Sequence, residues 1–152
     1  MTEILIVDDD RKIRDLLAHM LGAEGYAINQ AADSESALSV LKQKQIAVVT
    51  VDKDMPGQDG MWLVEQIQAA HPSVAMLLAT GDDQIAPRVS LSHGVLGYLV
   101  KPFKRELVVG AVKDAVAWHT AAVKQQSAKK GDVNPVDAWL QGRAGRPPKA
   151  EE

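Results

Sequence analysis

Cysteine is missing from this 152-residue chain, so disulfides, thiolate nucleophiles and cysteine-based zinc sites are excluded. Aromatic residues are scarce: three Trp, two Tyr and a single Phe make up 4% of the chain, and the core must be aliphatic. No apolar run approaches the ~18 residues that a membrane span requires. The first apolar stretch has no basic segment ahead of it and stops at Asp8, unlike a secretory signal. These absences lead to the expectation of a cytoplasmic chain with no membrane partner. Charge of one sign is also lacking. The net charge is −3, and residues 1–119 are acidic (11 Lys/Arg, 16 Asp/Glu) while residues 120–152 are mildly basic (6 and 4). Apolar residues at 46% and charged residues at 24% are ordinary for a globular protein. One domain with a tail is the expected organisation, since a domain uses ~100–200 residues.

What is present is an alternation. Ile4–Val7, Ile46–Val51, Val74–Ala79 and Val95–Val100 are short runs unbroken by charge, the pattern of strands buried on both faces. Tyr26–Ala32 is more polar, as an edge strand would be. Helical spacing fills the gaps. Ile13, Leu16, Leu17, Met20 and Leu21 fall on one face, and Asp33 is placed to cap a helix carrying Ala37, Leu38 and Leu41. Met61–Ala70 reads as a third helix, a weaker fourth is expected after Asp82 or Asp83, and a last one runs from about Lys104 to Gln126 with Leu107, Val108, Ala111, Val112 and Ala115 inward. Strands alternating with helices predict an α/β fold, a parallel sheet with helices on both faces. In such sheets ligands sit beyond the carboxyl ends of the strands.

The chemically capable residues fall at that edge. Asp8 and Asp9 end the first strand, Asp52 the third, Thr80 the fourth and Lys101 the fifth. One aspartate at a strand end is ordinarily a helix cap, the role expected of Asp10. A complementary set on four strands calls for another explanation. Clustered carboxylates repel one another, and a hard cation such as Mg²⁺ relieves that conflict. A lysine ammonium and a threonine hydroxyl beside them suit the oxygens of a phosphoryl group, so the set fits phosphoryl transfer onto an aspartate.

Val7-Asp8-Asp9, Asp52-Lys53-Asp54-Met55-Pro56-Gly57 with Asp59-Gly60, Thr80-Gly81, and Gly97-Tyr98-Leu99-Val100-Lys101-Pro102-Phe103 together resemble the receiver domain of two-component response regulators, over about residues 2–122. The resemblance implies a flavodoxin-like five-stranded parallel sheet in the order 2-1-3-4-5. It implies Asp52 as phosphoacceptor, with Asp8, Asp9, Asp52 and the backbone carbonyl of Asp54 around Mg²⁺, Asp9 and Asp52 directly and Asp8 through water. Lys101 matches the lysine that pairs with Asp52, Thr80 the switch hydroxyl and Tyr98 the switch aromatic, and Lys101-Pro102 is similar to the family's cis peptide. The implied partners are a sensor histidine kinase or phosphotransfer protein as donor and a downstream protein, engaged by a surface of helix 4, strand 5 and helix 5. Homodimers through that surface are an analogy from the family. The chain is then a signalling domain, with at most self-catalysed phosphorylation and dephosphorylation as enzymic activity. The resemblance implies that Asp54 and Asp82 border the open side of the phosphoryl group, read either as a solvated loop carboxylate and a helix cap or as groups orienting an attacking water, with repulsion of the phosphoryl group by their charge as the opposite effect.

The expected domain limits are a receiver at 1–122 and a helix extension with flexible tail at 123–152, without an output domain. Gly145-Arg146-Pro147 resembles the core of an AT-hook, although Ala144 stands where that motif has Arg, and DNA is not the expected partner. An alternative from the enzyme class is a haloacid-dehalogenase-type phosphatase, whose Asp-x-Asp pair Asp52-Lys53-Asp54 resembles. That pair belongs on a first strand, whereas here the acidic pair Asp8-Asp9 comes first.

Overall fold

The computed structural model describes residues 1–55, 60–81 and 94–131, with side chains through residue 126 in the last stretch. Five strands, β1 (Glu3–Val7), β2 (Ala27–Ala31), β3 (Val48–Asp52), β4 (Ala75–Thr80) and β5 (Val95–Val100), form one sheet in the order β2-β1-β3-β4-β5, with every pairing parallel. Among the described residues there are four helices: α1 (Arg11–Gly22), α2 (Ser34–Gln43), α3 (Gly60–Ala70) and α4 (Arg105–Gly131). This is the expected sheet order. The helix anticipated after Asp82 lies outside the described residues, as do Pro56, Gly57, Asp59 and the tail beyond residue 131. No described helix is long and apolar enough to cross a membrane.

The pleat divides the aliphatic side chains between two faces. Ile4, Ile6, Val48, Ala75, Leu77 and Leu99 pack with Leu17 and Leu21 of α1 and Val108, Val112 and Ala115 of α4. Leu5, Val7, Val49, Val51, Met76 and Leu78 pack on the opposite face with Ala37 and Leu41 of α2 and Leu63, Val64 and Ile67 of α3. Successive strand residues point to opposite faces, so a sheet covered on both sides needs unbroken apolar strands, and the central ones are buried throughout. β2 at the edge is only half-buried over Ala27–Asn29.

Helix starts obey local chemistry. Asp10 caps α1, its side chain accepting from the Lys12 N–H, and Asp33 caps α2 by accepting from the Ser36 N–H at 2.7 Å. α1 ends before Gly25, whose φ of +95° suits a residue without a Cβ. One inward assignment, Leu107, needs correction, and Leu16 stands at the open margin of the apolar stripe of α1. Leu16 is 41% exposed and Leu107 68% exposed. On α4 the buried line is Val108, Val112 and Ala115, spaced i, i+4, i+7, and Leu107 lies one residue, about 100° of helical rotation, off that line. His119 sits within α4, where its Nδ1 lies 2.7 Å from the Ser73 carbonyl oxygen.

Met1–His119 forms one compact unit; the second unit begins at Thr120. Within the first, the parallel arrangement puts the carboxyl ends of all five strands on one edge. Strand order reverses between β1 and β3, which opens a crevice beyond their ends. Asp8, Asp9 and Asp52 stand there.

Candidate functional site

Each polar group at the crevice is delivered by the end of a strand. The Asp8 N–H closes the β1–β2 ladder on the Ala31 carbonyl at 3.2 Å, and the chain then turns, with the Asp10 N–H donating to Asp8 Oδ1 at 2.9 Å. Asp52 is the last residue of β3, paired with Ala79 of β4. Beyond it the Asp54 N–H donates back to Asp52 Oδ1 at 3.2 Å, an aspartate turn that folds the Asp54 main chain against the site. Gly60 opens α3 where a Cβ would strike the Asp52 carbonyl and come within 2.8 Å of Lys53 Cα. The N-terminus of α3 can therefore lie against the end of β3 only because residue 60 has no side chain. Lys101 follows β5, its N–H donating to the Thr80 carbonyl at 2.8 Å, and the Lys101–Pro102 peptide is cis.

These placements bring four charged groups together. One carboxylate oxygen each from Asp8, Asp9 and Asp52 can be chosen so that all lie within 4.8 Å of one another. Lys101 Nζ stands 3.4 Å from Asp8 Oδ2 and 3.4 Å from Asp52 Oδ1. The Asp8 and Asp52 side chains are 2% and 5% exposed, the Lys101 side chain 27%, and Asp9 opens to solvent. Burial raises the Asp52 carboxyl above the ordinary aspartate range and the Asp8 charge adds to this, against the opposing pull of the Asp54 N–H and the Lys101 ammonium. Burial pulls the Lys101 ammonium down, but the charges of Asp52 and Asp8 outweigh it and hold Lys101 above its ordinary range.

Among the described residues, three carboxylates face one ammonium, an excess of two negative charges, and Asp8 Oδ2 is buried 3.4 Å from that ammonium without a hydrogen bond of its own. An ion pair that long leaves lone pairs of a buried carboxylate unused, which is costly, and a divalent cation with a preference for oxygen answers both the charge and the open coordination. The donor set therefore fits Mg²⁺, with Asp8, Asp9 and Asp52 as the side chains able to hold it.

Other expected residues take distinct positions. Thr80 is buried at the end of β4, one residue past the partner of Asp52. Tyr98 is half-buried on the α2–α3 face, paired in register with Leu78. By strand alternation Thr80 shares a face with Leu78 and hence with Tyr98. The Asp54 carboxylate is 70% exposed and lies 3.9 Å from Lys53 Nζ. Asp82 is outside the described residues. Sequence reasoning passed over Arg14, whose guanidinium reaches the main chain of Asp8. The only signal for it was a basic residue on the first turns of the helix that follows the acidic run.

Comparison with known proteins agrees with this geometry. The family model of the response regulator receiver domain matches residues 4–113. The response regulator MprA of Mycobacterium sp. strain KMS is 30% identical over 138 residues, 90% of this chain and 57% of that protein. The response regulator protein FleR of Pseudomonas aeruginosa is 33% identical over 132 residues, 86% of this chain but 27% of FleR. The chain thus spans little more than half the length of one relative and about a quarter of the other. Among solved structures, the receiver domain of NtrX from Brucella abortus aligns with a TM-score of 0.71 at 32% identity, covering 75% of this chain and 98% of that one. A CheY-like receiver domain protein from Methanospirillum hungatei aligns at 0.74 and 26% identity, covering 80% and 98%.

Proposed function

The chain belongs to the family of response regulator receiver domains, a signalling family, and from that premise we propose that Asp52 is its phosphoacceptor. In the proposed reaction an Asp52 carboxylate oxygen attacks the phosphorus of a phosphohistidine on a sensor kinase or phosphotransfer protein. The N–P bond breaks, the imidazole leaves with its electron pair, and an aspartyl phosphate forms. The observation that carries this reading is the placement of Asp52: nearly buried, 3.4 Å from the Lys101 ammonium, and with a carboxylate oxygen within 4.8 Å of one each from Asp8 and Asp9. Bound Mg²⁺ would neutralise charge on the transferring phosphoryl oxygens. Asp8 and Asp9 hold the acidic side of the site, and the Asp54 carbonyl is the proposed third protein ligand. Lys101 exchanges its ion pair with Asp52 for one with the phosphoryl oxygens. The Asp54 N–H holds Asp52 Oδ1, which leaves the other oxygen as nucleophile. The cytoplasm, where kinases draw on ATP, is the proposed location of the exchange.

The proposed output is a population shift. Thr80 bonds the new phosphoryl oxygens and Tyr98 follows, biasing the surface beside β5 toward one of two arrangements. A groove of about 680 Å³ lies between β5 and α4, and Tyr98, Lys101, Phe103 and the exposed Leu107 all contribute to its lining. One five-residue segment, Tyr98–Pro102, thus supplies both the site lysine and a wall of the groove, which supports coupling between them. The partner engaged there is proposed to be a downstream protein.

The test is incubation with acetyl phosphate, with and without Mg²⁺, followed by intact-mass measurement. One phosphoryl group per chain is expected, dependent on Mg²⁺ and absent in Asp52→Asn. Undiminished labelling of that variant, or multiple turnovers of p-nitrophenyl phosphate, would remove the reading.

A further inference from the structure

We propose that Arg14 is a positioning residue for the acidic loop, clamping the main chain that carries Asp8 and Asp9 and so setting the affinity of the site for a divalent cation. The inference rests on the reading of Asp8, Asp9 and Asp52 as the cation-holding set. β1 ends its ladder at the Asp8 N–H, and the Asp8 carbonyl on the other side of that residue goes to Arg14 instead, with Nη1 donating at 2.8 Å. The guanidinium is itself aimed. Its Nε donates to Gln30 Oε1 at 3.2 Å on the edge strand, and Gln30 Nε2 donates to Asp15 Oδ1 at 3.4 Å. Asp15 in turn pairs with Arg11 across one turn of α1 at 3.6 Å. A planar fork with donors in one plane serves two acceptors at once, which a lysine ammonium on a flexible stem does less well.

The consequence falls on Asp9. Its carboxylate opens to solvent, so its position beside Asp8 and Asp52 depends on the main chain on either side. The Asp10 N–H bond to Asp8 Oδ1 fixes one side and Arg14 fixes the other. Losing a group that orients a metal ligand from behind typically costs about 10–100-fold in metal affinity. Charge alone predicts the opposite sign. A guanidinium beside the cluster repels a cation, so its removal would tighten binding if it acted only through charge.

The experiment is calorimetric titration of Mg²⁺ into the full chain, comparing wild type with Arg14→Ala, Arg14→Lys and Gln30→Ala. Arg14→Ala is expected to weaken binding roughly tenfold, the low end for outer partners of metal ligands. Arg14→Lys should recover part of the loss. Gln30→Ala removes the aim without touching a charge and should fall between. In metal-free protein, amide exchange at Asp9 and Asp10 should quicken in Arg14→Ala while exchange at β3 and β4 amides stays as in wild type. With acetyl phosphate, the Mg²⁺ concentration for half-maximal labelling should rise by the same factor at an unchanged plateau. Equal or tighter Mg²⁺ binding by Arg14→Ala, with wild type binding normally, overturns the assignment of Arg14 and leaves the site reading intact. Failure of wild type to take up Mg²⁺ overturns both.

Discussion

Asp52 carries opposing demands. As the proposed nucleophile it must be ionised, yet it ends a buried strand beside Asp8, and the ionised form is disfavoured there by burial first and by the Asp8 charge second. A carboxyl raised in the folded state binds its proton more tightly than in the unfolded chain. The metal-free protein therefore loses stability as pH rises from the ordinary aspartate range through the raised range of Asp52. Asp52→Asn is expected to be more stable than wild type to urea at neutral pH without divalent cation. That advantage should shrink at acid pH, and Mg²⁺ should stabilise wild type more than the variant. An advantage that is independent of pH would contradict the assignment of the strain to charge. Lys101 makes the complementary case. Lys101→Met leaves two nearly buried carboxylates without their ammonium and should cost about 2 kcal/mol, less than the ~3–5 for a fully buried pair because the ammonium is partly exposed. Urea melts check the magnitude, and added Mg²⁺ should recover part of it.

Elements place these residues, and the sequence discloses elements unevenly. The apolar central strands, the cap aspartates Asp10 and Asp33 and the gathering of Asp8, Asp9, Asp52 and Lys101 were legible because each rests on local spacing plus the parallel rule. The exposure of Leu107 was not, since a helix carrying an apolar residue beside its buried line looks the same in sequence whichever of them faces the core. Arg14 was illegible for another reason: its bond is to a main-chain carbonyl, which every residue possesses. Gly60 belongs to the same class, for only the structure reveals that its missing Cβ makes room for the Asp52 carbonyl. Gly60→Ala should destabilise by about 1–3 kcal/mol, as overpacking does, and slow labelling of Asp52 by displacing the end of β3. Gly110→Ala is the control. Its Cβ meets nothing within 4 Å inside α4, so the change should stabilise by up to ~1 kcal/mol. Asp33→Ala should cost about 1 kcal/mol as a lost cap. The Asp33 carboxyl is held below its ordinary range by its bonds to Ser36, so its contribution is present above that range and fades as pH falls through the lowered one. Thermal melts across pH test both.

For the whole molecule, the sheet order decides where chemistry can occur. Because β2 lies on one side of β1 and β3 on the other, the helices that follow β1 and β3 diverge to opposite faces, and the crevice between them receives the ends of the two acidic strands. The same sheet carries β5 from the crevice to the groove beside α4, so one sheet holds both the site and the proposed output surface. Everything in this account depends on Asp52 being the residue modified. The aspartyl phosphate formed with acetyl phosphate and Mg²⁺ can be reduced with borohydride and located by peptide mass spectrometry. Conversion at Asp52 alone is the predicted result. Conversion at Asp8, Asp9 or Asp54, or no acyl phosphate under conditions where Mg²⁺ binds, would contradict it.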